Sequence, residues 1–423
     1  MGASKHVAVI GGGWAGLAAA VKATQLGHRV TVYEMAPQLG GRAREVDFGD
    51  ALLDNGQHIL IGAYSQTLAL MQLVGVDIEQ ALLRTPLCVT YPDGAGLKLK
   101  AGSPMLAFAS AVLRYPGWRW RDKQALLVTA TGWAMQRFHC DPALTVAQLT
   151  AHLPAAVREE LLDSLCVAAL NTPASHASGT VFLRVLKDAL FSGSGSADLM
   201  LPRLRLSELW PRPAARWLAA AGASIRLSER VDSLERTAEA WKINGEPAEA
   251  VVLACTAPEA ARLTASLDPA WSRTAGALSY EPIVTVYASS PGGRLPHPMM
   301  ALRSDERRPV QFVFDLGQLG GLDVIALVVS GATAWVAKGT QATTKAALEQ
   351  AQQDLGGFLS QALAPLRTTT EKRATFLCTP ELQRPAQHVL PGLFAAGDYV
   401  EGPYPATLEG AMRSGVAAAS AIG

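Results

Sequence analysis

A chain of 423 residues is long enough for two or three domains, each with its own core. With 49% hydrophobic and 17% charged residues and a net charge of +1, it lacks the basic excess of a general nucleic-acid binder. Its five cysteines, an odd number with no C-x-x-C pair, point away from a disulfide framework or a metal site and suit a reducing cytosol. The chain enters a strand almost at once, so no signal peptide is expected. No uninterrupted apolar run approaches the ~18 residues of a membrane-spanning helix.

The stretch from His6 to Glu34 carries the first strong pattern. Val7 to Ile10 is a short apolar run that reads as a buried parallel strand. Gly11, Gly13 and Gly16 follow in G-x-G-x-x-G spacing, with Trp14 and Ala15 between them. Leu17 to Leu26 continues as an Ala-rich helix that Gly27 can cap, and His28 to Tyr33 alternates as a second strand. Gly11 allows the tight turn, Gly13 lets backbone approach a pyrophosphate, and Gly16 lets helix and strand pack closely. The helix N-terminus offers free N–H groups and a positive dipole end to phosphate. Glu34, 18 residues beyond Gly16, stands where a ribose hydroxyl needs an acceptor. The sum predicts dinucleotide binding.

Glu34 is followed by Leu39-Gly40-Gly41-Arg42 and then by Asp54-Asn55-Gly56-Gln57-His58. This E-x(4)-LGGR run resembles the extended FAD fingerprint of the amine oxidase and phytoene desaturase flavoproteins. Gly41 permits a second close approach, and Arg42 is a fixed cation for the diphosphate or flavin side. Tyr64 to Val74 then reads as a helix, and Pro86 to Lys100 as a hairpin around Pro92-Asp93-Gly94. Pro104 to about Lys187 is helical, broken near Pro116, Pro142, Pro154 and Pro173. Ile225 to Glu229 and Ala250 to Ala254 read as strands, with Val231 just beyond the first of them. Ile283 to Ala288, Val310 to Asp315 and Val324 to Ser330 belong to a second sheet, and Ala346 to Leu363 to a helix.

Leu393 to Ala396 is a last apolar strand, followed by Gly397-Asp398 and, through Ala406, Thr407 and Leu408, by an Ala/Gly-rich helix. It resembles the second FAD motif of the same flavoproteins. By that resemblance Asp398 meets the ribityl–diphosphate region, the Val231 backbone lies near the adenine, and the helix dipole faces the flavin edge. The expected fold is α/β: a Rossmann-like FAD-binding domain, discontinuous in sequence, plus a substrate domain with a mixed sheet and a helical region. The expected segments are 1–85, 207–260 and 376–423 for the FAD domain, 86–206 for the helical substrate region, and 261–375 for its sheet.

Four further stretches narrow the resemblance: Asp54 to Tyr64, Cys166 to Pro173, Ser192 to Trp210 and Gly402 to Gly415. Together they look like the hydroxysqualene dehydroxylases, FAD-dependent desaturase-like enzymes of hopanoid pathways. The resemblance implies that reduced FAD removes the hydroxyl of hydroxysqualene to leave squalene, with an electron donor yet unidentified. Such a reaction needs a proton donor, an orienting group and a dry wall. His58 is the first expected donor, Gln57 the orienting group, and Tyr404 and Glu409 the alternatives near the flavin; Asn171 is a weaker candidate, and Asp54 is expected to pin the loop. Met105, Leu106, Phe108, Val112 and Leu113, then Leu126, Leu127, Trp133, Met135 and Phe138, are apolar material for an oily substrate. Trp118 and Trp120, interleaved with arginines, suggest a cytoplasmic protein held peripherally at the inner face of the membrane.

Three rivals share the motifs. A carotenoid or phytoene desaturase would run the flavin oxidatively. Many amine oxidases place a lysine near flavin N5, and no lysine stands between Lys242 and Lys338. A non-enzymatic isoprenoid carrier of the same fold would not need Gly11, Gly13, Gly16, Glu34 and Asp398 together.

Overall fold

The computed structural model describes residues 4–49, 52–238 and 240–423. Its central layer is a six-stranded sheet in the order Ser224–Leu227, Arg29–Glu34, His6–Ile10, Ala250–Leu253, Leu393–Ala395, His388–Leu390. The first five strands are parallel and the last returns antiparallel. Strands from both ends and the middle of the chain thus form one layer. Such a sheet is covered on both faces, so Val7 to Val9 and Val251 to Leu253 are fully buried and read as unbroken apolar runs.

Helix Trp14–Gln25 is buried nearly all round, which is why it is built of alanines. It packs on the sheet and on the C-terminal helix Leu408–Ser420. A Cβ at Gly415 would overlap the Ala15 carbonyl, so the two helices approach backbone to backbone.

The second sheet runs Met299–Ala301, Phe312–Asp315, Val324–Val329, Tyr280–Ser289, Ala364–Phe376. Its pairings are all antiparallel, where the sequence suggested a mixed sheet. Alternation divides its faces. Val284, Val286, Leu327 and Val329 pack with Ala347, Ala351 and Leu355 of helix Thr340–Leu355. Phe312, Phe314, Ala326 and Val328 face the other way, toward the hairpin Cys88–Thr90/Gly96–Lys98. Gly356-Gly357 ends the helix earlier than the predicted Leu363.

The helical region comprises chiefly Pro104–Arg114, Trp120–Met135, Asp163–Leu170 and Gly179–Phe191. It corrects one expectation. Trp118 is only 5% exposed: it stacks on Tyr115 at 4.1 Å, and its Nε1–H donates to Glu160 at 3.0 Å. Tyr115 donates its hydroxyl to the same carboxylate oxygen at 2.9 Å, so Trp118 is a core residue. Trp120, by contrast, is 67% exposed.

Candidate functional site

The strand His6–Ile10 delivers Gly11 with φ +111°, and a Cβ there would lie 2.6 Å from the Ala254 carbonyl oxygen, so only glycine fits. A Cβ at Gly16 would overlap the Gly11 carbonyl, which is the close helix–strand contact that the spacing requires. Gly13 is the N-cap of helix Trp14–Gln25 and no side chain caps it. The nearest atom to a Cβ on Gly13 is the Gly41 Cα at 3.9 Å, and Gly41 itself adopts φ +59°. The helix N-terminus, with Trp14 and Ala15, therefore opens onto a cavity rather than onto protein. Trp14 also donates its indole N–H to the Ala43 carbonyl at 2.9 Å, fixing the Gly40–Ala43 turn against the helix.

Glu34 ends its strand at the same cavity. Its carboxylate accepts from Gly12 N at 2.7 Å and Ala36 N at 2.8 Å, which fixes its aim. Val231 lines this end, and its carbonyl accepts from Arg262 at 2.7 Å. Arg42, expected as a fixed cation for the diphosphate or flavin side, is fixed by protein groups. Its guanidinium donates to Asp398 at 2.6 Å and to the carbonyls of Arg373 and Ala374 at 2.9 and 2.8 Å. The pair thereby locks the first motif to the last in the cavity wall. Gly397 lies beside it, and Ala406, Thr407 and Leu408 bring the N-terminus of the C-terminal helix to the same space. Thr407 caps that helix by accepting from Gly410 N at 3.1 Å.

The loop Asn55–His58 forms the next part of the wall. Gly56 and Gln57 line the cavity, and Asp54 sits behind them, accepting from Leu206 N at 2.9 Å. His58 Nδ1 lies 2.8 Å from the Gly56 carbonyl, and burial, then the nearby Arg42 charge, push its pKa down. The ring is neutral at pH 7, its proton held on Nδ1 by that carbonyl. Nε2 is left as an acceptor, the opposite of the proton donor that the sequence suggested.

Glu409 is a second correction. It does not line the cavity and is 0% exposed. Its carboxylate accepts from Gln66 N, Thr67 N and Thr67 Oγ1 at 3.1, 2.9 and 2.7 Å, and from Arg413 Nε at 2.6 Å. It caps the helix Ser65–Leu73, whose own N-cap Tyr64 supplies no side-chain bond. Asn171 lines the cavity, and its side chain is held in place: it ends helix Asp163–Leu170 at φ +48° and bonds Glu281 O, Thr375 Oγ1 and Gly331 N.

Tyr404 does line the cavity. Arg184 Nη2 donates to its hydroxyl at 3.4 Å, and Asp188, held by Arg184 Nε at 3.0 Å, lines the same cavity. Burial first, then Asp188, raise the Tyr404 pKa. The sequence reading omitted Arg184 and Asp188, although their i,i+4 spacing was visible. Tyr399 was omitted too; its buried hydroxyl has no partner among the described residues and it lines the same cavity.

From this cradle the cavity, about 580 Å³, continues between the helices and the second sheet. Phe108, Phe182, Leu186 and Leu190 wall one side, and Met299, Phe312, Phe314 and Val328 the other. Of the ten apolar residues expected at the substrate, Phe108 alone lines it. Val112, Leu126, Trp133 and Phe138 are buried in helix packing, while Met105, Leu106, Leu113 and Met135 are exposed.

The cradle fits a flavin dinucleotide on its own geometry. It has an uncapped helix N-terminus, glycines that leave the space before it open, a carboxylate fixed at the end of the second strand, and the orphaned Tyr399 hydroxyl. The hydroxysqualene dehydroxylase of Rhodopseudomonas palustris is 28% identical over 99% of this chain and 98% of its own length. That of Sinorhizobium fredii is 26% identical over 98% and 97%. Among solved structures, an oxidoreductase from Methanosarcina mazei superposes with a TM-score of 0.74 at 16% identity, covering 97% of this chain and 99% of that one. Cyclohexylamine oxidase from Brevibacterium oxydans does so at 0.72 and 16%, covering 99% of each. The family model of flavin-containing amine oxidoreductases matches residues 14–423, and the chain belongs to that family and uses FAD.

Proposed function

We propose that the protein reductively removes the hydroxyl of hydroxysqualene to give squalene. The observation that carries this reading is the continuity of the cavity: the dinucleotide cradle opens directly into a chamber walled by aliphatic and aromatic side chains. The relatives from Rhodopseudomonas palustris, Sinorhizobium fredii and Zymomonas mobilis carry that activity in their names over nearly their whole length. The zeta-carotene desaturase of Zea mays matches only 18% of the chain, which favours the dehydroxylase over the desaturase.

FAD, when bound and reduced, supplies hydride. The protein must then hold the chain of the substrate, exclude water and deliver one proton. An allylic hydroxyl leaves poorly until protonated, and its departure creates a delocalised cation that water would capture. The apolar walls keep that water out. For the proton we assign Tyr404 Oη. Its raised pKa keeps the proton on oxygen at neutral pH, and the Arg184 cation at 3.4 Å stabilises the oxygen as the proton departs. Asp188, held by Arg184 Nε in the same cavity wall, helps keep that hydroxyl protonated, and solvent reprotonates it once product has left. His58 Nε2, as an acceptor, and Gln57 orient the substrate hydroxyl toward it.

The test is lipid analysis after anaerobic incubation with hydroxysqualene, with FAD reduced in one sample and oxidised in the other. Squalene is expected only with reduced FAD. A more unsaturated product, formed only with oxidised FAD, would overturn the proposal in favour of desaturation.

A further inference from the structure

Seven of the fifteen large hydrophobic side chains exposed among the described residues fall on helix Pro104–Arg114 and the two helices, Trp120–Met135 and Gly179–Phe191, that pack against it. Helix Pro104–Arg114 carries Met105, Leu106 and Leu113, at 50%, 66% and 44% exposure. On helix Trp120–Met135, Trp120, Val128 and Met135 are 67%, 66% and 81% exposed, in a helical stripe completed by Gln124 and Thr131. Phe191 ends the third helix, Gly179–Phe191. Single exposed apolar residues need no explanation, but a contiguous set of this size does.

Charge identifies the occupant. Between residues 104 and 137 stand Arg114, Arg119, Arg121, Lys123 and Arg137 against the one carboxylate Asp122, which is itself buried. A second copy of this chain docking face to face would set these cations against one another. An anionic bilayer accepts both the apolar stripe and the basic rim. Among the described residues no helix is long and apolar enough to cross a membrane, so the contact is with its surface.

Two of these helices also wall the cavity from within. Phe108 lines it from the first, and Leu186 and Leu190 line it from the third. On these two helices one face meets the chamber and the other carries exposed apolar side chains, and helix Trp120–Met135 extends that outer surface. We propose that this three-helix face seats on anionic lipid, and that a polyisoprenoid passes from the bilayer into the chamber between helices Pro104–Arg114 and Gly179–Phe191. The entry route rests on the substrate class proposed above; the lipid contact does not.

The test uses the FAD-loaded protein and sucrose-filled vesicles, either mixed phosphatidylglycerol and phosphatidylcholine or phosphatidylcholine alone. The variant is Leu106→Glu with Trp120→Glu and Val128→Glu, at exposed positions, with flavin content and circular dichroism as controls for folding. The wild type should sediment with anionic vesicles and less with neutral ones. The variant should lose about tenfold or more in partitioning, while its turnover of detergent-dispersed substrate stays unchanged. No binding by the wild type, or equal binding by the variant, overturns the proposal. So does a wild-type dimer, broken by the variant, with no vesicle binding. Vesicle binding without squalene formation would leave the lipid face standing and remove the proposed reaction.

Discussion

Glu409 separates a structural from a catalytic role for an acid close to the flavin helix. Replacing it with Ala removes a fully buried carboxylate and strands four donors: two backbone N–H groups, the Thr67 hydroxyl and Arg413 Nε. Hydrogen bonds to charged groups are worth ~1.5–3 kcal/mol each, but they are not additive within one site. Arg413 is 39% exposed and can turn to solvent, so the loss comes from the stranded Gln66 and Thr67 donors, together about 3–5 kcal/mol. For a chain of this length the entropy of unfolding converts 1 kcal/mol into about 1 °C, so the melting temperature should fall by roughly 3–6 °C. Circular dichroism and flavin release on heating both read this. Below the transition, the single-turnover rate should stay within a few-fold of wild type. An unchanged melting temperature with a rate lost by about a hundredfold would refute the capping role and restore Glu409 as a reacting acid.

Other positions give sharp expectations. Gly13→Val places a side chain where the diphosphate passes, so purified protein should lose bound flavin while keeping its circular dichroism; full flavin occupancy would contradict the cradle. Burial pushes the Asp54 carboxyl from its ordinary 3.8 up to about 7, so the folded state binds the extra proton between those values. Its contribution to stability is intact below about pH 4 and lost as pH rises through about 7, on the order of 4 kcal/mol. Asp54→Asn keeps the acceptor for Leu206 N and should flatten that dependence in denaturant titrations; an unchanged slope would assign it to another group. Burial holds the His58 pKa below the ordinary 6.5, so the single-turnover rate should show no fall from a histidine titration between pH 7 and 8. A rate that falls as pH rises through that window, and loses the fall in His58→Gln, would make it the proton donor after all.

The parts legible in the sequence were those where backbone geometry restricts the residue type. Gly11 and Gly16 allow no Cβ, and a sheet buried on both faces demands apolar runs such as Val7 to Ile10. What stayed hidden depends on residues distant in the chain. Arg42 was readable as a cation, but not that Asp398 and two carbonyls engage it. Trp118 and Trp120 look alike in sequence, and Glu160 decides which is buried. Glu409 was misplaced by helical phase: Leu408 and Ala411 face the cavity, and one residue on from Leu408 turns the side chain about 100° away. Ala364–Phe376 was not read as a strand because it is an edge strand with exposed arginine and lysine side chains among its threonines.

The central claim is that a reduced cradle and an oily chamber share one reaction space. Its most direct test is anaerobic stopped-flow mixing of the reduced flavoprotein with hydroxysqualene, following the return of oxidised-flavin absorbance and then quantifying squalene. One squalene should form for each flavin oxidised, and Tyr404→Phe should slow that step by about 10²–10⁴-fold with its flavin content intact. Flavin that stays reduced in the presence of hydroxysqualene, or that reoxidises without squalene, would contradict the account.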